Sequence, residues 1–265
     1  MAIIKEFVRR IAIYGKGGIG KSTISANITA ALSQKGLTVM QIGCDPKSDS
    51  TKLLLNNVRC PTVLDTMRKG CDVNLEDIVF KGYDGALCVE CGGPRPGMGC
   101  AGRGIIAAFE KLEKLDVIGK YKPDVIIYDV LGDVVCGGFA MPIRNGYAND
   151  VFIVTSGEMM SLYAATNISE AVKNFSEDGY AKLSGLIQNS RNIEDEDHLV
   201  DNAAKEIGID VIARIDRDPL VQKFENLGKT VVEGDPDSAL AKSYRGLADS
   251  IFSLSNNSSG GMKLE

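Results

Sequence analysis

The sequence has no tryptophan and one histidine among its 265 residues. This argues against a histidine-rich metal centre and a Ser-His-Asp triad, because His198 stands alone in the acidic stretch Ile193–Asp201. Apolar runs such as Val125–Tyr128 and Val151–Val154 fall far short of the ~18 residues a membrane helix needs. Basic tracts are missing too: 30 Lys+Arg against 35 Asp+Glu leave a formal charge of −5, which argues against nucleic acid or a membrane surface as partner. The first ten residues put Ile3 and Ile4 before Arg9 and Arg10, the wrong order and length for a secretory signal. Seven cysteines, an odd number for a disulfide framework, then point to a reducing cytoplasm. Hydrophobic residues at 44% and charged residues at 25% leave enough of each for a globular core and a solvated surface.

Short β-branched runs alternate with helical patterns along the chain. Val8–Tyr14, Thr38–Ile42, Ala86–Val89, Val125–Val130, Val151–Thr155, Leu183–Gln188 and Ile209–Ile212 read as strands. Lys21–Gln34, Gly104–Leu115, Ser161–Phe175, Glu196–Ile207, Pro219–Leu227 and Ser238–Leu254 read as helices, the first closed by Gly36. Such alternation predicts a parallel sheet with helices on both faces, and Val125-Ile126-Ile127 is apolar enough for a strand covered on both sides. No linker, repeat or low-complexity block interrupts it, so one domain is expected over residues 1–255, with a loose polar tail over 256–265.

Directly after the first strand, Gly15-Lys16-Gly17-Gly18-Ile19-Gly20-Lys21-Ser22 fits G-x-x-x-x-G-K-[ST], with Thr23 following. Glycines let backbone N–H groups turn inward on phosphate oxygens, Lys21 supplies a point charge near the β- and γ-phosphates, and Ser22 offers a hydroxyl to Mg²⁺. The expected fold class is therefore α/β, a P-loop NTPase. An ordinary P-loop leaves the position of Lys16 unconstrained. A lysine there resembles the deviant Walker A group, whose members dimerise on ATP and reach this lysine into the partner's phosphates. Cys44-Asp45-Pro46-Lys47-Ser48-Asp49-Ser50 and Asp129-Val130-Leu131-Gly132-Asp133 lie at strand C-termini, where open parallel sheets bind ligands. Carboxylates there can hold Mg²⁺ and its waters or orient an attacking water.

Of the cysteines, Cys60 and Cys71 have no partner at ligand spacing. Cys100 and Cys136 are flanked by glycines, which expose amides and allow close approach to an inorganic cluster. Two cysteines cannot ligate a 4Fe–4S cluster, but two copies of the chain can, across a symmetry axis. A within-chain set is the alternative, because Cys88-Val-Glu-Cys91 is a CxxC pair that could join them. Against it, Cys88 lies in a strand pattern where it packs as a small hydrophobe.

With these motifs on the page, the sequence resembles the iron protein of nitrogenase and its relatives, from about Arg10 to Ala248. The resemblance rests on Tyr14-Gly-Lys-Gly-Gly-Ile-Gly-Lys-Ser, Gly43-Cys-Asp-Pro-Lys-Ser-Asp-Ser-Thr, Gly99-Cys-Ala-Gly-Arg-Gly and Tyr128-Asp-Val-Leu-Gly-Asp-Val-Val-Cys-Gly-Gly-Phe. It implies a homodimer that holds one 4Fe–4S cluster between subunits, is charged by a ferredoxin- or flavodoxin-type donor, and passes electrons to a larger catalytic partner as MgATP is hydrolysed. Carried over, Cys100 and Cys136 match the cluster ligands, and Lys16, Lys21 and Ser22 the phosphate and Mg²⁺ positions. Asp45, Lys47 and Asp49 match the first switch; Asp129, Gly132 and Asp133 match the second, with Asp133 the candidate hydrolytic base. Asn189-Ser-Arg and Asp216, Arg217, Asp218, Gln222 and Glu225 match segments that hold adenine and ribose. Arg103 matches the arginine that docks the partner.

Departures narrow the branch. Nitrogenase's own iron protein carries a longer C-terminal extension and a longer segment between the positions of Leu55 and Gly82. It usually has Ser at the position of Cys91 and Pro at that of Asp216. Relatives reduce tetrapyrroles: protochlorophyllide, chlorophyllide, and the nickel sirohydrochlorin a,c-diamide of coenzyme F430 synthesis. Nitrogenase-like motifs in a compact chain fit the coenzyme F430 branch. Two other functions share parts of this pattern. A partitioning or membrane-positioning ATPase would need a basic surface or a basic terminal helix. An iron–sulfur carrier would use a labile cluster at Cys88 and Cys91.

Overall fold

The computed structural model describes residues 8–70, 72–94, 101–132, 140–176 and 181–255. Its strands are β1 (Arg9–Gly15), β2 (Val39–Gly43), β3 (Phe80–Lys81), β4 (Leu87–Glu90), β5 (Val125–Asp129), β6 (Asp150–Thr155), β7 (Lys182–Asn189) and β8 (Val211–Ile215). They form one sheet in the order β3-β4-β2-β5-β1-β6-β7-β8, parallel except for β3. The helices are α1 (Lys21–Ser33), α2 (Val63–Arg68), α3 (Ala101–Lys114), α4 (Val117–Tyr121), α5 (Met141–Arg144), α6 (Met159–Ser176), α7 (Glu196–Ile207), α8 (Pro219–Asn226), α9 (Val231–Gly234) and α10 (Ala239–Leu254).

Alternation along each strand sorts its side chains into two cores. Ile11, Ile13, Ile127, Phe152 and Val154 face one way and bury against Ile24 and Ile28 of α1 and Tyr244 and Leu247 of α10. Ala12, Tyr14, Ile126, Tyr128 and Ile153 face the other way and bury against α3 through Phe109 and against α6 through Ile168. Every residue of β5 and β6 is buried, which is why these strands read as unbroken apolar runs. The α/β P-loop fold expected from the sequence is the observed one.

Several boundaries differ. The last strand begins at Val211 rather than Ile209, because Gly208 (φ +82°) ends α7 and the Ile209 N–H still bonds back to the Ala204 carbonyl. Helix α3 starts at Ala101, three residues before the expected Gly104. Strand β3 and helices α2, α4, α5 and α9 are additional. Gly36 (φ +79°) does turn the chain out of α1, its N–H bonding to the Ser33 carbonyl. Residues 256–265, expected as a tail, lie outside the described residues. Among the described residues, no helix is long and apolar enough to cross a membrane.

Candidate functional site

β1 occupies the middle of the sheet, between β5 and β6, and the P-loop leaves its C-terminal end. Gly15 takes φ +150°, and a Cβ there would lie 2.3 Å from the Val154 carbonyl oxygen, so only glycine lets the loop begin beside β6. Gly20 (φ +103°) takes the left-handed N-cap position of α1. The end of β7 braces the loop from outside. Asn189 Nδ2 donates to the Ile19 carbonyl at 2.6 Å, and Arg191 Nη2 donates to the Gly18 carbonyl at 2.8 Å.

Lys21 is buried at the first position of α1, and its ammonium donates to the Lys16 carbonyl at 3.1 Å. Burial lowers its pKa, opposed by Asp129, Asp45 and Asp49. Asp129 closes β5 fully buried, and neither oxygen has a hydrogen bond of normal geometry, although the Ser22 and Ser50 hydroxyls are near enough to oppose the rise in its pKa. Desolvation is the main cause of that rise, and Lys21 is the main charge against it. A buried, under-coordinated carboxylate beside a serine hydroxyl is a costly arrangement without a cation, and its oxygens suit a hard divalent ion. Asp45, Lys47 and Asp49 line a cleft together with Lys21 and Ser22, the Lys47 N–H closing a turn on Asp45 Oδ1 at 2.9 Å. Gly132 lies against the P-loop itself: a Cβ on it would come 2.1 Å from the Gly15 carbonyl oxygen.

The opposite wall is built from Asn189 at the end of β7 and from Asp216, Arg217, Asp218, Gln222 and Glu225 around the start of α8. Thr23 Oγ1 donates to Glu225 Oε1 at 2.7 Å and joins this wall to α1. Asp218 caps α8 by accepting the Leu220 N–H at 2.8 Å. Together the walls enclose a cleft of about 840 Å³, within the size range of small-molecule sites. Residues distant in sequence thus line one cleft. Lys16 is half-buried and does not line this cleft, whereas Asp133, Cys100 and Cys136 lie outside the described residues. Arg103 is exposed on the first turn of α3.

Sequence reading missed Tyr244 of α10, which also lines the cleft, and Glu90, buried at the end of β4. No local motif marks either residue; their roles come from distant partners. Burial pushes the Glu90 carboxyl from 4.5 up to about 8, against hydrogen bonds from Thr51. The folded state therefore holds the Glu90 proton more tightly than the unfolded chain does. That stabilisation is complete below about pH 4.5 and is lost as the pH rises toward 8. Glu90→Gln has no such proton to lose. Chemical denaturation across this range should show the variant gaining on the wild type as pH rises, and parallel curves would refute the assignment.

The remaining described cysteines are buried inside the protein. Cys88 packs with the core on the α1 side of the sheet and Cys91 with the core on the α3 side, so the CxxC sulfurs face opposite ways. Burial raises the thiol pKa of Cys44, Cys60 and Cys88, that of Cys60 to about 11, which opposes the thiolate form that binds metal. Among the described residues no three potential ligands converge.

Comparison with known proteins agrees with this geometry. Residues 9–259 match the family described as 4Fe-4S iron sulfur cluster binding proteins, NifH/frxC family. A protein of Methanospirillum hungatei named nitrogenase iron protein is 55% identical over 249 residues, covering 92% of this chain and 88% of the relative. Among solved structures, the septum site-determining protein MinD of Pyrococcus horikoshii in complex with Mg-ADP superposes with a TM-score of 0.71 at 20% identity, over 97% of this chain and 99% of that one. The Pyrococcus furiosus cell division ATPase MinD gives a TM-score of 0.70 at 20% identity, over 92% of this chain and 99% of that one. At such identities the two structures share the fold.

Proposed function

The chain belongs to the NifH/frxC family of 4Fe-4S iron sulfur cluster binding proteins, and from that premise we propose that two copies share one cluster and hydrolyse MgATP to deliver single electrons to a larger catalytic partner. The observation that carries this reading is the contact of Gly132 with the P-loop backbone. It brings the loop that leaves β5, as far as Gly132, against the main chain of the phosphate-binding loop, and Cys136 follows four residues later in the sequence. A 4Fe–4S cluster supplies one-electron redox chemistry, and MgATP supplies a phosphoanhydride whose cleavage can reset the protein.

In this reading the P-loop amides and Lys21 hold the phosphates, and Ser22 with Asp129 holds Mg²⁺. Asp45 and Asp49 bind its waters, and Asp133 orients the attacking water. Asn189, Asp216, Arg217, Asp218, Gln222 and Glu225 hold the nucleoside. Lys16, which does not line its own cleft, reaches the phosphates of the second copy. A surface for that copy is present beside the loop. Met159, Met160 and Tyr163 at the start of α6 are 82%, 59% and 62% exposed, and they follow β6, whose Val154 pairs with Gly15.

For the partner, we favour the nickel sirohydrochlorin a,c-diamide reductive cyclase of coenzyme F430 synthesis. Its support is the set of departures from nitrogenase's own iron protein at Cys91, at Asp216 and between Leu55 and Gly82. The second reading is a nitrogenase iron protein proper, favoured by the name of the 55% identical relative. A cytoplasmic site and a ferredoxin- or flavodoxin-type donor follow from either.

The test is electron delivery. Reduced protein with MgATP should reduce a nickel-tetrapyrrole-binding catalytic component and leave a dinitrogenase unreduced; the converse result selects the second reading. Arg103→Glu, which reverses the exposed charge at the start of α3, should lower transfer by about 100-fold or more while sparing cluster content and ATP affinity. Transfer unchanged in this variant would remove Arg103 from the docking surface.

A further inference from the structure

Glu90 ends β4 almost fully buried, and its Oε1 accepts two hydrogen bonds from Thr51, from N–H at 2.7 Å and from Oγ1 at 2.8 Å. The neighbouring strand is shaped to admit it. Gly43 pairs with Glu90 in register, and a Cβ on Gly43 would fall 2.1 Å from Glu90 Oε2. Thr51 closes the first acidic loop, whose Asp45, Lys47 and Asp49 line the nucleotide cleft. The other end of that loop meets the same segment of chain: Gly93 packs on Pro46 so closely that a Cβ on it would lie 2.4 Å from Pro46 Cβ. Segment 90–93 is itself anchored to α2. The Leu64 N–H donates to the Cys91 carbonyl at 3.1 Å, and Arg68 Nη2 donates to the Gly93 carbonyl at 2.7 Å. None of residues 90–93 lines the cleft.

We propose that Glu90 is a positioning residue that latches the first acidic loop, residues 45–51, to segment 90–93, so that the two move as one body when nucleotide binds. Two attachments, Glu90 on Thr51 and Gly93 on Pro46, hold the loop from behind while its carboxylates face the cleft. A displacement of the loop must either carry segment 90–93 with it or strip a buried acceptor from two buried donors. The second course is the more costly, because it leaves the buried Thr51 hydroxyl only a long contact with Cys60 Sγ at 3.9 Å in place of a carboxylate at 2.8 Å. Cys100 follows Pro94 by six residues in the sequence, so the latch acts on a segment of chain separate from Gly132. This rests on the nucleotide reading above and extends it.

Amide hydrogen exchange on the full-length protein, read by mass spectrometry with and without MgADP or MgATP, tests it without needing electron transfer. In the wild type, peptides covering 44–51 and 87–94 should both change their exchange rate, by about threefold or more. Glu90→Leu fills the same space without an acceptor. It should keep the response at 44–51, lose it at 87–94, and leave nucleotide affinity within about threefold. Glu90→Gln keeps an acceptor for Thr51 and should restore the paired response, which a general loss of packing would not predict. Thr51→Val, a milder change that removes one donor, should weaken the response at 87–94 and covers the case in which the leucine variant does not fold. A wild-type response at 44–51 alone, or an undiminished response at 87–94 in Glu90→Leu, overturns the latch and leaves the nucleotide reading standing. Silence at both peptides sinks the nucleotide reading and the latch together.

Discussion

Cys136→Ala is expected to strip the protein of iron, from about four atoms per dimer to none, and to loosen the dimer as well. Cys100→Ala should do the same, whereas Cys91→Ser and Cys88→Ser should keep the full complement. The reasoning begins with where the other thiols are. A four-cysteine site within one chain would need Cys88 and Cys91 to point at one centre. They lie on opposite faces of the sheet, Cys88 with the core on the α1 side and Cys91 with the core on the α3 side. Bringing both sulfurs to one iron would require β4 to be unmade. Cys44 and Cys60 are buried as thiols, with pKa values raised by desolvation. Of the other three cysteines, Cys71 has no partner at ligand spacing, which leaves Cys100 and Cys136, half of what a 4Fe–4S cluster takes; in the proposed reading a second chain supplies the other half. Iron quantitation alongside light scattering checks this directly. Iron retained in Cys136→Ala but lost in Cys91→Ser would return the cluster to a single chain.

Much of the fold was legible because its long elements have strong periods. The strands β1, β2, β4, β5, β6 and β7 lie within a residue of the sequence reading at either end, and α7 matches it at both ends. What was missed had no period to read. β3 has two residues, and its antiparallel pairing with β4 is decided by the edge it meets. The short helices did leave a signal in their caps. Thr62 accepts the Asp65 N–H ahead of α2, and Thr230 accepts the Glu233 N–H ahead of α9, both in the T-x-x-[DE] pattern of a capping box. The start of α3 was hidden by the low helix propensity of Gly102 and Gly104; Gly104 serves contact instead, since a Cβ on it would lie 2.8 Å from Leu64 of α2. At the site, the cleft-lining Gly20, Lys21, Ser22, Asp45, Lys47 and Asp49 could be named from motifs, since backbone chemistry at a P-loop imposes its own spacing, whereas Lys16, named from the same motif, does not line the cleft. Glu90 and Tyr244 could not be named. A lone Glu after a strand and a Tyr on an amphipathic helix acquire their roles only from partners tens of residues away.

Gly132→Ala is expected to abolish MgATP hydrolysis and the nucleotide response of the iron centre together, while leaving nucleotide affinity within about tenfold. The added methyl would lie 2.1 Å from the Gly15 carbonyl oxygen, 2.6 Å from its carbon and 3.1 Å from the Lys16 nitrogen. These are main-chain atoms of a loop already fixed by the Val154 contact and by Asn189 and Arg191, so no rotamer change can relieve the clash. The loop after β5 must then stand away from the P-loop. Asp129 stays, because it belongs to the strand, and Mg²⁺ and phosphate can still be bound. Asp133 and Cys136, one and four residues beyond Gly132 in the sequence, are the residues that, in the proposed reading, this displacement would uncouple from the phosphates. Lys21→Ala gives the contrasting pattern: affinity itself should fall by about 100-fold or more, since the phosphates lose a buried ammonium. Lys16→Ala should bind nucleotide normally and fail to close the dimer on it. Chelation of iron, timed with and without MgATP, separates these cases. Wild-type protein should release iron faster with MgATP, and Gly132→Ala should release it at one rate regardless of nucleotide. A Gly132→Ala protein that hydrolyses ATP at the wild-type rate, or whose chelation still answers to MgATP, would show that this glycine transmits nothing and that the signal crosses elsewhere.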